Sequence, residues 1–275
     1  MIDFIGIGAQ KSGTSWVYAC LYEHPEICAP IKEIHFFSRS RFSKGKEWYE
    51  NHFRSCDQGR QRGEFSTSYL YSEEAAVRIK DMYPSVKLIV ILRHPASRAY
   101  SHYQNAIKAG EIVKSTSFEV FAAQEPSVIA QGLYTKQLRR YFKLFPKEQM
   151  LILMYEDSKK DPRAFIKQIY SFLGVDTLFV PSMLFSSVNV ARTPKAVWVD
   201  RVMHHIAEFL RKKGLHKMVW HIRNFGIPDI VRSFNTQEKK AQTTLDLSSY
   251  NKYFKDDVRE LNVLLERDVT TYWNI

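Results

Sequence analysis

The N-terminal segment constrains the fold of this chain most, because it places a glycine-containing loop between an apolar run and a helix. Residues 4–7 are mostly apolar, residues 14–23 carry helix formers, and the loop 8–13 between them is rich in small residues and contains one lysine. A strand, a loop and a helix in this order are typical of a phosphate-binding turn, where backbone N–H groups and the positive helix end hold an anion.

The loop has the sequence GAQKSGTSW over residues 8–16. It is not a Walker A motif, because that motif ends in Gly-Lys-Ser/Thr and here Lys11 precedes Gly13. Taken alone, the loop leaves two interpretations open. It is either an anion site with a mobile positive charge or a plain turn that uses glycine for geometry.

Apolar runs alternate with helical patterns in the rest of the chain. Residues 86–92 and 150–154 are continuous apolar runs, typical of strands buried on both faces of a parallel sheet. Helices are predicted over 95–109 and 162–173, and a last amphipathic helix over 254–269. The pattern predicts an α/β, P-loop-like three-layer fold with a mainly parallel central sheet.

We expect a single domain over residues 1–275, because no low-complexity linker or repeat interrupts the chain. The stretch 197–240 differs from the rest: it is helical in composition, basic and rich in His and Trp. It is predicted to be a helical insertion or subdomain on the acceptor side.

The charge balance favours an anionic partner without identifying it. The chain has 40 Lys and Arg against 29 Asp and Glu, a formal net charge of +11. One interpretation is a basic protein that binds nucleic acid or an anionic membrane surface through five cations of the helical stretch, for which a solvated face is the alternative. These cations are Arg211, Lys212, Lys213, Lys217 and Arg223.

The cysteines predict a compartment. Cys20, Cys28 and Cys56 are an odd set without a CxxC pair, so no disulfide framework is expected and a reducing environment is the simpler assumption. No stretch reaches the roughly 20 apolar residues of a membrane span, and the first apolar run is too short for a signal peptide. We therefore expect a cytoplasmic protein, and the sequence gives no indication of its oligomeric state.

A second candidate phosphate site follows the apolar run 86–92. Arg93 ends the strand, and Arg98 and Ser101 lie on the helix that begins at Pro95. An arginine fork and a hydroxyl at a strand end can hold a terminal phosphate dianion. Arg98 serves either that site or packing.

Together these two segments resemble those of sulfotransferases that use 3′-phosphoadenosine 5′-phosphosulfate (PAPS). Loop 8–16 matches the family's 5′-phosphosulfate loop, x-x-K-[SG]-G-T-[ST], and segment 93–101 matches its 3′-phosphate motif, R-[DHN]-P-x-x-R-x-x-S. The resemblance implies that Lys11 contacts the bridging oxygen of the departing phosphate and that Arg93 and Ser101 hold the 3′-phosphate. The resemblance further implies that Ser12, Gly13, Thr14 and Ser15 hold the 5′-phosphate, and Lys11 and Trp16 complete the cofactor-binding residues of this loop.

Two further segments that contact the nucleotide are implied by the same resemblance. Tyr134, in Gly132-Leu133-Tyr134, matches a G-x-Y segment near the adenine end. Arg192 and Lys195 lie where relatives place a basic loop over the nucleotide, and the alternative for both is an ordinary solvated charge.

The segment PIKEIHFF, residues 30–37, resembles the E-[VI]-H-F-F segment of the glycosaminoglycan (heparan sulfate-type) sulfotransferases and their bacterial relatives. The resemblance implies that Glu33 is the general base and that His35 supports it or stabilises charge. The alternative for Glu33 is a loop carboxylate paired with Lys32 or Arg39. No metal is required for this chemistry.

Segment 63–69 departs from both branches of the family. It lacks the His that cytosolic small-molecule sulfotransferases carry there as their base, which favours Glu33. It also has Phe65 where the glycosaminoglycan branch has a substrate-side Lys in E-K-[ST]-P-x-Y, which puts a highly anionic polymer in doubt as acceptor.

The expected reaction is sulfuryl transfer from PAPS to an acceptor hydroxyl or amine of a small molecule, carbohydrate or lipid, with no nucleic-acid partner. A carbohydrate hydroxyl is the first expectation, and the sequence does not choose between O- and N-sulfation. The main alternative is a P-loop kinase-like phosphotransferase, which the position of Lys11 disfavours.

Overall fold

The structure, a computed structural model, describes residues 2–185 and 247–275, together with the backbone of two short strands, Thr193–Pro194 and Thr236–Gln237. The chain divides into two compact units, Met1–Val188 with Asp246–Ile275 and Asn189–Leu245. The two short strands pair antiparallel in the smaller unit. The rest of the predicted helical stretch, with its basic residues, lies outside the described residues.

The larger unit is built on a five-stranded parallel sheet with the order β2-β3-β1-β4-β5. Its first strand is central, and Phe4 is level with Gly63 of one neighbour and Lys87 of the other. From β1 the chain passes to the edge strand β2 and returns to β3 beside β1. It then crosses to β4 and β5 on the other side of β1, and this reversal leaves a crevice at the carboxyl end of the central strand. The strands are β1 Phe4–Gly8, β2 Ile27–Cys28, β3 Gln61–Phe65, β4 Lys87–Leu92 and β5 Met150–Met154.

Helices cover both faces of the sheet and confirm the predicted α/β, P-loop-like class. None of those in the described residues combines the length and the apolar character needed to cross a bilayer. They are α1 Thr14–Glu23, α2 Gly45–Glu50, α3 Ala75–Met82, α4 Pro95–Ala109, α5 Phe118–Gln124, α6 Ser127–Ala130, α7 Tyr134–Phe142, α8 Tyr155–Lys160, α9 Pro162–Leu173, α10 Lys255–Leu265 and α11 Val269–Trp273.

The core has two parts because successive strand residues point to opposite faces. In β4, Leu88 and Val90 pack into one cluster, whereas Ile89 and Ile91 pack into the other. Phe65 belongs to the second cluster and is fully buried. Its ring lies 2.0 Å from where a Cβ on Gly6 would be, so glycine at position 6 of the central strand is required for this packing.

The predicted C-terminal helix is wrong as one continuous element. Helix α10 ends at Leu265 because Glu266 adopts a left-handed conformation, with φ of 51°. Asn262 then accepts the Val269 N–H at 2.8 Å, and Asp268 caps α11 by accepting the Thr271 N–H at 3.0 Å. The apolar spacing continued through the break because both helices contribute to the same core cluster.

The expectation of no disulfide is also wrong. Cys28 at the end of β2 and Cys56 form a disulfide, with their Cα atoms 5.8 Å apart and a sequence separation of 28. Cys20 is a free, buried thiol on α1. The spacing could not reveal this pair, because the two cysteines meet only through the path of residues 28–56. The premise for a reducing compartment is thereby removed.

Candidate active site

The phosphate loop lies where predicted, at the carboxyl end of β1 and the start of α1. Gly13 is the residue before the helix, with φ of 81°, and a Cβ there would lie 2.7 Å from the Tyr155 ring. Both the backbone conformation and the close ring therefore require glycine. Lys11 is also left-handed, with φ of 69°. Left-handed residues in a loop before a helix are typical of backbone turns that bind anions through their amides.

Two polar atoms of this loop have no partner. The Ser12 side chain is fully buried, and neither its Oγ nor the Oε1 of Gln10 makes a hydrogen bond within the described part of the chain. A buried hydroxyl without a partner costs about 1–3 kcal/mol, so such atoms need an explanation. An anion in the crevice would supply a partner for the Ser12 hydroxyl, so the residues of this loop fit a phosphate group.

Lys11 is a half-buried cation among other cations. Burial is the largest cause that lowers the pKa of Lys11, and together with the positive charges of Lys108, Arg93, Lys32 and Arg98, in that order, it brings this pKa to about 8. Among the residues that the structure describes, no carboxylate pairs with Lys11. Several cations close together favour a polyanionic ligand.

Arg93 joins the second phosphate motif to the first. Its Nη1 donates to the Lys11 carbonyl at 2.9 Å, and its guanidinium lies 4.8 Å from the centre of the Tyr155 ring. Tyr134, fully buried, donates its hydroxyl to the Arg93 carbonyl at 2.8 Å. Ser101 is half-buried on α4. The structure thus brings Lys11, Arg93 and Tyr134 together at one edge of the sheet.

Two of the matched residues have packing contacts of their own. Arg98 is fully buried and donates to the Val128 carbonyl, which favours the packing interpretation of its role. The Trp16 indole N–H donates to the Met183 and Leu184 carbonyls at 3.1 and 3.2 Å, and its amide donates to the Gly13 carbonyl. Trp16 therefore has neither N–H group free for a ligand in this conformation.

Glu33 is held by three neighbours. Its Oε1 pairs with Lys32 Nζ at 2.8 Å, and its Oε2 lies 3.0 Å from His35 Nε2. Thr67 donates its amide to Oε2 and its hydroxyl to Oε1, both at 3.2 Å. The side chain is 29% exposed, so the carboxylate is fixed in position and still reaches solvent. The predicted pairing with Lys32 and the predicted contact with His35 coexist.

His35 completes this arrangement on its other side. Its Nδ1 lies 2.7 Å from Ser68 Oγ, which in turn lies 2.6 Å from Ser38 Oγ. Burial lowers the pKa of His35. The Glu33 carboxylate opposes this lowering, whereas the positive charges of Arg39, Arg41 and Lys32 add to it. A neutral His35 can donate one N–H to Glu33 or to Ser68, depending on its tautomer.

The segment after β3 lies between the phosphate loop and Glu33. The Ser66 amide donates to the Gly6 carbonyl at 2.9 Å, and the Leu70 amide donates to the Ile7 carbonyl at 2.8 Å. A Cβ on Gly8 would lie 3.3 Å from the Thr67 carbonyl. One short segment therefore contacts β1, the start of the phosphate loop and the candidate base.

Sequence reasoning passed over several residues of this site. It assigned no role to Thr67, Ser68 or Glu64, although the segment follows the strand next to β1, where parallel strand ends meet. It also missed Tyr155, which lies over Gly13 and Arg93. Phe65, taken as a replacement for a substrate-side lysine, is buried in the core and presents no group to an acceptor. Arg192 and Lys195 lie outside the described residues.

Comparison with known proteins agrees with this geometry. The family model for the sulfotransferase domain matches residues 2–218. The chain is 30% identical over 215 residues to the human bifunctional heparan sulfate N-deacetylase/N-sulfotransferase 3, covering 71% of this chain and 24% of that protein. It is 33% identical over 176 residues to the mouse heparan sulfate glucosamine 3-O-sulfotransferase 3A1, covering 62% and 44%.

A solved sulfotransferase structure is similar to this chain over its full length. The sulfotransferase from Alicyclobacillus acidocaldarius superposes with a TM-score of 0.71 at 26% identity, covering 100% of this chain and 99% of that one. The chain spans less than half the length of the two curated relatives named above. With the family model matching most of its residues, the chain belongs to the sulfotransferase family.

Proposed function

We propose that this protein transfers the sulfuryl group of PAPS to an acceptor hydroxyl or amine, with Glu33 as general base. The observation that carries the proposal is the contact between Arg93 and the Lys11 carbonyl, which unites the two phosphate motifs. The unpartnered Ser12 hydroxyl and the position of Lys11 among other cations support an anionic donor in the same crevice.

The roles of the residues follow from their contacts. PAPS supplies an activated sulfuryl group. Glu33 takes the acceptor proton, the acceptor atom forms a bond to sulfur, and the bond between sulfur and the bridging oxygen breaks, leaving its electron pair on the phosphate. Lys11 stabilises the charge that grows on that oxygen. Lys32 and Thr67 keep the Glu33 carboxylate oriented, and Arg93 with Ser101 is proposed to hold the 3′-phosphate.

The acceptor we propose is a carbohydrate. Both curated relatives named above are heparan sulfate enzymes by name, and one transfers to nitrogen whereas the other transfers to oxygen. Position 65 contributes no charge to the acceptor side here, because Phe65 is buried. Neutral and weakly anionic saccharides are therefore the first acceptors to test.

The cytoplasmic location stays a prediction and now has a direct test. A disulfide persists in oxidising compartments and is rare in the cytosol. Thiol labelling of protein taken directly from its cells distinguishes the two cases. Labelling of Cys28 and Cys56 without a reductant fits the cytoplasm, whereas labelling only after reduction fits an oxidising compartment.

The first experiment compares thermal stabilisation by 3′-phosphoadenosine 5′-phosphate (PAP), ADP, and ATP with Mg²⁺. A ligand at 100 times its Kd stabilises the native state by about 2.7 kcal/mol, which is a readily measured shift in Tm. We expect stabilisation by PAP and little by the other two. Stabilisation by ATP with Mg²⁺ alone would instead favour a kinase-like activity.

Transfer is then measured with radiolabelled PAPS and a panel of unsulfated, N-acetylated and N-sulfated saccharides. The matched control is Lys143→Ala, since Lys143 is exposed after α7, on the path to the amino end of β5 and away from the crevice. Label that enters an acceptor with the Lys143→Ala variant and not with Lys11→Ala supports the proposal. Binding of PAP without transfer to any acceptor would confine the proposal to the donor site.

A further inference from the structure

The backbone amides around the candidate base are all satisfied by one neighbouring segment. Glu33 donates its amide to the Phe65 carbonyl at 2.8 Å, and Ile34 donates its amide to the Glu64 carboxylate. His35 donates its amide to Ser66 Oγ at 2.9 Å, and Phe36 donates to the Tyr69 hydroxyl at 2.9 Å. Residues 33–36 thus depend on residues 64–69 rather than on regular secondary structure.

The two hydroxyls in this set share a single acceptor. Ser66 Oγ donates to Glu64 Oε2 at 2.6 Å, and Tyr69 donates to Glu64 Oε1 at 2.6 Å. A hydroxyl has one proton, so donating it to the carboxylate leaves its lone pairs for the amides of His35 and Phe36. Glu64 therefore fixes three of these four amides, one directly and two through a bridging hydroxyl.

The backbone that these bonds hold is an uncommon one. Glu33 and His35 have φ values of 62° and 54°. Left-handed conformations of residues with a Cβ cost free energy and persist when their surroundings determine them. The conformation brings the Glu33 and His35 side chains within 3.0 Å of each other.

Burial of the Glu64 carboxylate costs free energy of folding. Glu64 is fully buried, its third neighbour is the Tyr49 hydroxyl at 3.2 Å, and no cation pairs with it among the described residues. Burial raises the pKa of Glu64 to about 7, against the lowering effect of the hydrogen bonds from Ser66, Tyr69 and Tyr49. An apolar residue of similar volume would avoid this cost, so the carboxylate serves something other than core stability.

We infer that Glu64 is a positioning residue for the reaction: it fixes the backbone of residues 33–36 so that Glu33 and His35 are oriented before an acceptor arrives. This inference rests on the proposed function for its catalytic meaning, because Glu64 touches no reacting atom and acts through Ser66 and Tyr69.

The test is Glu64→Gln. This substitution keeps the side-chain shape but replaces one of the two acceptor oxygens of the carboxylate with an NH₂ donor. We expect PAP affinity within about twofold of wild type, because the phosphate loop is unchanged, and a kcat lower by roughly 10²-fold, as for a misplaced catalytic group. The KM for PAPS should be unchanged. NMR of labelled His35, titrated between about pH 5 and 9, should show its pKa moving up toward the ordinary value as burial is lost.

Glu50→Gln is the matched control. Glu50 accepts a hydrogen bond from the Tyr83 hydroxyl at 3.0 Å, and the Tyr83 ring contacts Phe37 and Tyr49. Glu50 is not a hydrogen-bond acceptor for any of the amides of residues 33–36 that are named above. A merely structural role for Glu64 would lower Tm in its variant while leaving the His35 titration as in wild type. A folded Glu64→Gln protein with wild-type kcat and a wild-type His35 titration would overturn the inference.

Two further variants keep the test decisive. If Glu64→Gln does not fold, Ser66→Ala and Tyr69→Phe each remove one bridge, and the same shift in the His35 pKa is expected from each. If wild type binds no PAP, the proposed function fails, yet the His35 titration still decides whether Glu64 positions this segment. An unchanged titration in both bridge variants would then reject the role.

Discussion

The phosphate loop and the base segment are built in opposite ways. In loop 8–16, the Ser12 hydroxyl and the Gln10 side-chain Oε1 have no partner in the described residues, and Lys11 lies among other cations. In segment 33–36, each amide has a partner and the Glu33 carboxylate has three. Under the proposed function, a bound donor would complete the first region, whereas the second is complete without a ligand. Binding energy and orientation are supplied by different segments.

The largest effect that separates the two regions is expected from Lys11→Ala. The variant removes the charge that stabilises the leaving oxygen, so kcat should fall by about 10²–10³-fold. It also removes a contact to the donor, so kcat/KM should fall by more than kcat. PAP should also bind more weakly, as measured by calorimetry. Equal PAP affinity in Lys11→Ala and wild type would show that the donor side does not depend on this cation.

Glu33→Gln should affect only the second region. Turnover should fall by about 10²–10³-fold, within the range for loss of a general base, while PAP affinity stays close to wild type. Glu47→Gln is the control, because Glu47 is an exposed carboxylate paired with Arg54 on the surface. Retained turnover in Glu33→Gln would reject the base assignment.

Removing the disulfide should loosen the base region more than the donor region. The bond closes a loop of 28 residues that contains residues 33–36, and the double variant Cys28→Ser/Cys56→Ser should lose about 3 kcal/mol of unfolding free energy. PAP affinity of the folded variant should be unchanged. Reductant should lower the Tm of wild type and leave that of the variant as it is, and a wild type indifferent to reductant would contradict the expectation.

The smallest effect is a pH dependence of PAP binding. The pKa of Lys11 in the free protein is lowered to about 8 by burial and by its cationic neighbours, so Lys11 loses its proton as pH rises through that value. An anion favours the charged form, and affinity should therefore fall above about pH 8, by at most tenfold per pH unit for one proton. Calorimetry between pH 7 and 9.5, where phosphates are about fully ionised, measures the slope. Lys11→Arg should flatten it, and an unchanged slope in that variant would assign the proton to another group.

The sequence predicts the donor half of this fold well because its elements have strong local signals. The bounds of α1 and α4 match the prediction, as does α9, where Asp161 accepts the Ala164 N–H at 2.9 Å. Strands β2 and β3 were not predicted. The first has only two residues, and the second, Gln-Arg-Gly-Glu-Phe, contains a glycine and three polar residues with no apolar alternation. Their strand character comes from pairing with neighbours rather than from composition.

The candidate site divides in the same way. The meeting of Lys11 with Arg93 follows from parallel strands whose carboxyl ends share one edge. Glu64 could not be recognised, since a carboxylate in a short polar strand is typical of a solvated face. Its role depends on side-chain hydroxyls that converge on it in three dimensions. Trp16 was matched by motif, although its indole N–H is used inside the protein.

The short helix α11 has a consequence for how this chain can be rearranged. Trp273 donates its indole N–H to Glu156 Oε2 at 3.2 Å, and Glu156 Oε1 accepts the His94 amide at 2.9 Å, directly after Arg93. Trimming residues 269–273 therefore removes a brace from the 3′-phosphate motif, distant in sequence. A circular permutant is therefore better opened at Gly59 than between α10 and α11. Gly59 lies in an exposed turn, where an added Cβ would meet no neighbouring atom.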